Sequence, residues 1–166
     1  MICGRYHFFW DIGCMYDDNL KQRLLDVCGQ YVAQRIAEAQ QAIAAAGEAA
    51  ASDGKSSAGD KYETTREMMQ QEIDRFQQTL SDARRMEQVL ATVDIRAAST
   101  QARLGSLVET NQGIFFLAIG VGRAGVDGLT VGIISTASPI GARLLGKSAG
   151  QHFIFNGREY TVSRVV

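Results

Sequence analysis

The chain has 166 residues, of which 46% are hydrophobic and 21% charged, a composition that suits one domain or two small ones with a modest core. A net charge of -1 argues against sequence-independent nucleic-acid binding as the main activity, because neutralising phosphates needs a clear excess of Lys and Arg. Cys3, Cys14 and Cys28 are odd in number and lack CxxC spacing or a nearby His pair, so they read as reduced thiols of a cytoplasmic protein.

The apolar cluster Phe8, Phe9 and Trp10 is cut short by Asp11, well under the length of a secretory h-region. Ile12-Gly13-Cys14 lacks the hydrophobic run of a lipoprotein site, and no segment reaches the length of a membrane span. Residues 1–16 are expected to be a disordered or mis-started extension outside the fold.

From Asn19 to Ser52 there is no Pro, and Leu25, Val32, Ile36, Ala39, Ile43, Ala46 and Ala50 recur at steps of three and four. This predicts a helix starting near residue 18, capped by Asp17, Asp18 or Asn19. Cys28 falls one residue off this seam and reads as a small packing residue. Small and turn-forming residues then predict a loop over 53–60. The seam resumes at Tyr62, Arg66, Met69, Ile73, Phe76, Leu80, Ala83 and Leu90, with Glu87 as a charged intruder. Two helices of similar length joined by a short loop fold back on each other, which predicts an antiparallel coiled-coil hairpin over 17–95. Alanines crowd helix one near the loop and would keep the far end slender.

After Asp94 the pattern becomes strand-like over 106–110, 114–119, 131–134, 151–155 and 160–166, rich in β-branched and aromatic residues. Turns are expected at Asn111 to Gly113, at Asp127-Gly128 and at Asn156-Gly157. Pro139 to Leu145 reads as a short helix with Ser138 as its cap. The fold class is therefore α+β, the hairpin being followed by an antiparallel β domain over 101–166.

Two nucleotide motifs match in letters and fail in context. Gly141 to Ser148 fits GxxxxGK[ST], but Gly150 and a strand follow where a helix should begin. Gly120 to Gly125 fits GxGxxG, but turn and strand follow, so these glycines read as a connection in the β domain. His7 and His152 have no orienting acid or nucleophile beside them in sequence. At the loop, Asp53, Asp60 and Glu63 could help bind a metal in a partner's site. Helix capping accounts for the last two equally well, since Asp60 and Glu63 have capping-box spacing.

Two stretches make the order of hairpin, loop and β domain specific. Tyr62-Glu63-Thr64-Thr65-Arg66-Glu67 is similar to the Tyr-x-x-x-Arg-Glu that opens the second hairpin helix in the Gre family of bacterial RNA-polymerase elongation factors. Ser138-Pro139-Ile140-Gly141-Ala142-Arg143-Leu144-Leu145-Gly146-Lys147 resembles the Ser-Pro-Ile...Leu-Gly-Lys signature of that family's C-terminal domain. The resemblance implies an FKBP-like C-terminal domain that docks at the mouth of the polymerase secondary channel while the hairpin enters it. Tyr62, Arg66, Ser138, Pro139, Ile140, Leu144, Leu145 and Lys147 are the partner-binding residues it implies.

In cleavage-competent members two tip acids stabilise a second metal in the polymerase. Counted back from Tyr62, their positions hold Lys55 and Ala58 here, so the resemblance carries docking and not transcript cleavage. The expectation is a cytoplasmic, monomeric regulator of DNA-templated transcription elongation that is not an enzyme. It has no cofactor of its own beyond a Mg2+ shared with the polymerase, and its contact with DNA and nascent RNA arises through that complex. The alternative is a coiled-coil scaffold that does not bind polymerase.

Overall fold

The computed structural model describes residues 18–53, 59–97 and 99–166. Helix α1 spans Asp18–Asp53 and α2 spans Gly59–Ala91, each on the order of 50 Å long at about 1.5 Å per residue. Their exposed faces carry a repeated device in which a Gln amide donates to an acid one turn on. The pairs are Gln22 to Asp26, Gln34 to Glu38, Gln70 to Asp74 and Gln78 to Asp82. Pairs of this spacing stabilise a helix by about 0.2–0.5 kcal/mol each.

The buried stripe of α1 runs Leu20, Leu24, Cys28, Val32, Ile36 and Ala39. It differs from the expected seam at the base. Cys28 lies on the stripe and Leu25 at its flank, because Leu24 and Cys28 continue the four-residue step back from Val32. On α2, Glu87 is exposed and accepts from Arg84 at 3.0 Å, while Met86 takes the half-buried position beside it. Arg66, expected on the seam, is exposed. The loop is also shorter than 53–60, since Asp53 ends α1 and both Gly59 and Asp60 belong to α2. Asp60 therefore sits within the first turn and not before it. The reading of residues 1–16 lies outside the described residues.

Among the described residues the chain divides into two compact units, one within residues 29–88 and the other of residues 18–28 with 89–166. Among the described residues the first is helical throughout and buries Val32, Ile36, Ala39 and Ala83. The second holds the sheet.

Six strands follow α2: β1 (Leu107–Thr110), β2 (Gly113–Ala118), β3 (Gly122–Val126), β4 (Leu129–Ser135), β5 (His152–Phe155) and β6 (Arg158–Val165), with α3 (Pro139–Leu144) between β4 and β5. Their spatial order is β3-β4-β2-β1-β6-β5. The sheet is mixed, which corrects the antiparallel expectation: β2 and β4 run parallel, with Phe116 beside Ile133. The reason lies in which strand can be central. Val131 and Ile133 of β4 are fully buried, whereas β3 reads Gly-Arg-Ala-Gly-Val and is mostly exposed. The apolar strand takes the inner position between β2 and β3, and the glycine-rich one is left at the edge. Gly120 to Gly125 is thus largely strand, not connection.

Strand alternation divides the side chains between two faces. One face carries Val108, Leu117, Phe153 and Val162 in a core with Leu144 of α3 and Ala102, flanked by half-buried Phe115, Ile134, Ile140, Phe155, Tyr160 and Val165. The other carries Leu107, Phe116, Val131 and Ile133, all fully buried. In the same unit the base of α1 buries Leu20, Leu24 and Cys28. It is fixed there by Lys21, whose Nζ donates to the Ile95 carbonyl at 3.2 Å, and by an ion pair from Arg23 to Asp127 in the β3–β4 turn.

The first face is concave. Tyr160 of β6 reaches Phe115 of β2 with ring centroids 6.3 Å apart, although β1 lies between their strands and flat strands two apart are separated by about 10 Å. Helix α3 touches both β4 and β5, which three strands separate in the order. A sheet curled around the helix accounts for both contacts.

Candidate functional site

Helix α3 and its flanks hold most of the positions that the sequence singles out. Local chemistry fixes the segment. Ser138, with extended backbone, accepts from the Gly141 amide at 3.1 Å, and its hydroxyl donates to the Ser135 carbonyl at 2.6 Å. Pro139 at the first helical position loses no bond that the helix would make. A Cβ on Gly141 would lie 2.0 Å from the Ser135 carbonyl oxygen, so only glycine lets the helix lie this close to the end of β4.

The far end is fastened as firmly. Gly146, at φ +78°, turns the chain out of the helix. Its amide donates to Ala102 at 2.7 Å, and the Ala102 amide donates to the Lys147 carbonyl, also at 2.7 Å. Gln101 and Ser148 add an isolated bridge. The helix is thus a rigid platform with one face in the core and one in solvent.

The expected partner-binding residues divide between those faces. Leu144 is fully buried, Ile140 packs against the core, and Ser138 is committed to the cap. Pro139 and Leu145 point outward, Leu145 with 48% of its surface exposed. Lys147 is half-buried with its backbone bonded on both sides, and Arg143, which the signature did not single out, is exposed beside them. Gly141 was also missed, although a glycine inside a helical pattern signals a close approach.

The structure disposes of the phosphate-loop match, because α3 occupies the space between its glycines and the Ser148 amide donates to Gln151 Oε1 at 2.9 Å. Beside α3, Tyr160 stacks on Phe153 with centroids 5.1 Å apart and meets Phe155 edge-on. The sequence marked these as strand residues without indicating that they cluster.

Arg66 is exposed on α2. Asp53, Asp60, Tyr62 and Glu63 belong to the two helices, and their side chains lie outside the described residues, as do residues 54–58. Lys55 and Ala58, at the positions counted for the family's acids, offer a cation and a methyl group where Mg2+ requires oxygen. They do not fit that ion. Cys28 is buried, and burial pushes its thiol from 9.0 up to about 11, against the opposing effect of a backbone hydrogen bond. It is a packing residue and not a nucleophile.

Comparison of the chain with protein-family models, with curated proteins and with solved structures finds no match. No helix among the described residues is long and apolar enough to cross a membrane.

Proposed function

We propose that this chain is an RNA-polymerase-binding regulator of transcription elongation. In this reading α1 and α2 pair as an antiparallel hairpin that enters the secondary channel, and an FKBP-like β domain docks at its mouth through the outer face of α3. The observation that carries the reading is the construction of α3. Its Ser-Pro-Ile-Gly opening builds a capped helix locked against β4, and that lock leaves Leu145 exposed in a fixed place. Pro139 and Leu145, exposed at the two ends of this platform, supply apolar contacts that docking against another protein would cover.

Supporting the probe role are two helices of matching length and an alanine-rich end in α1. The protein acts in the cytoplasm as a monomer and is not itself an enzyme. Transcript cleavage is not part of the proposal, since the counted tip positions lack carboxylates.

Binding to core RNA polymerase, followed by fluorescence anisotropy, tests it. Micromolar or tighter affinity is expected, with strong loss for Leu145→Asp and for deletion of residues 53–60. No binding of the parent protein at micromolar concentration refutes the proposal. A cleavage assay on stalled complexes, expected to show no shortening of the RNA, then addresses the tip. Should RNA be shortened, Asp53→Ala and Asp60→Ala test whether those acids carry it. A coiled-coil scaffold is the second reading, favoured by Met68 of α2 with 64% of its surface exposed. A stable monomer by light scattering counts against it.

A further inference from the structure

Residues 101–166 carry Arg103, Arg123, Arg143, Lys147, Arg158 and Arg164 against only Glu109, Asp127 and Glu159. Strand parity keeps the strand carboxylates off the side that carries α3. Arg123 pairs in register with Gly132, which lies beside Phe115, and Arg158 pairs with Phe155, so both arginines share the concave face with α3. Glu109, opposite Arg164, and Glu159, opposite Ile154, alternate onto the other face. Asp127 sits in the β3–β4 turn and is taken by Arg23. The α3 side therefore shows Arg123, Arg143, Lys147 and Arg158, none of which forms an ion pair among the described residues.

We infer that this side of the β domain docks an acidic protein surface, one that receives Leu145 in an apolar socket and presents carboxylates around it. The inference rests on the docking reading above and specifies the chemistry of the partner. Unpaired cations of one sign concentrate potential over a patch about a Debye length deep, which steers an oppositely charged partner and selects against basic ones. A protein fits better than a nucleic acid for two reasons. Between Arg143 and Lys147 in the chain stands exposed Leu145, which offers nothing to a phosphate. The nearby aromatic rings that could stack on bases are instead packed on one another around Tyr160.

The experiment compares the parent protein, Arg143→Glu, the double variant Arg123→Glu/Arg158→Glu and Glu159→Lys. Each is titrated against core RNA polymerase and against a single-stranded RNA oligonucleotide at two salt concentrations, with thermal melts as a check on folding. The double variant leaves α3 untouched, so its effect does not depend on the helix. The expected result is about tenfold weaker polymerase binding for each reversal, a parent affinity that falls with salt, and a change within about twofold for Glu159→Lys. Polymerase binding that ignores both reversals overturns the inference and leaves the docking proposal standing. A parent that binds no polymerase overturns both. RNA binding that the reversals abolish, with polymerase binding unchanged, assigns the patch to nucleic acid and also overturns the inference.

Discussion

Replacing Gly141 with alanine tests whether α3 is a platform or merely a surface loop. The new methyl carbon would meet the Ser135 carbonyl oxygen at 2.0 Å and Ser138 Oγ at 2.9 Å, both short of any real contact. Relief requires the helix to move about 1 Å away from β4, which stretches the bonds of Ser138 to Ser135 and Gly141 and lifts Leu144 out of the core. A lost cap costs about 1 kcal/mol and an overpacked site about 1–3, so the variant should lose about 2–4 kcal/mol. Urea unfolding followed by near-ultraviolet circular dichroism reports on the rings around Tyr160 and hence on this unit. Gly47→Ala in α1, followed in the same titration by far-ultraviolet circular dichroism of the helices, is the contrast, because nothing lies within 4 Å of its added Cβ and a helical Gly→Ala change stabilises by about 0.5–1 kcal/mol. A loss below about 0.5 kcal/mol for Gly141→Ala, or the same sign for both variants, would refute the reasoning.

Other outcomes follow from the base of α1 and the β3–β4 turn. With Cys3 and Cys14 replaced by Ser, Cys28 should resist a thiol reagent at pH 8 in the native protein and react once it is unfolded in urea. Because its folded pKa is raised, the unfolded chain loses the proton first, so stability should fall as pH rises from 9.0 towards about 11; a flat profile over that window contradicts burial of the thiol. Lys21→Met strands the Ile95 carbonyl and should lower stability by about 1–3 kcal/mol in denaturant titration. Asp127→Asn removes an exposed ion pair but keeps a residue that tolerates the turn's φ of 54°, so it should cost under about 1 kcal/mol. Most of that difference should vanish in high salt.

What could be read in the sequence followed local chemistry. The start of α1, the Ser138 cap, Pro139 at the first helical position and the Asn156-Gly157 hairpin are each written within a few neighbouring residues, and each appears in the structure. Strand β3 escaped because two of its five residues are glycine, with little intrinsic preference for a strand. It forms because the Asp127-Gly128 turn lays it along β4. The parallel pairing of β2 and β4 escaped for a related reason. Turn signals identify neighbours along the chain, whereas a central position is won by burial, which only the assembled sheet decides. In α1 the seam was read one residue off at its base because Leu24 and Leu25 are equally apolar, and periodicity alone does not choose between them. At the candidate site, Arg143, Leu145 and Lys147 lie within the signature, but Arg123 and Arg158 join them only once strand parity is known.

The fastening of α3 has a consequence for how this surface could change over time. Ser138, Gly141 and Leu144 answer to the interior, and substitution there costs folding. Pro139, Ala142, Arg143 and Leu145 face solvent, and the fold does not constrain their chemistry closely. One six-residue helix thus combines an inflexible mounting with an editable label. Descendants of this chain could exchange one partner for another by altering the outward residues alone, and a designed library confined to those four positions would explore new specificities on a scaffold that stays folded.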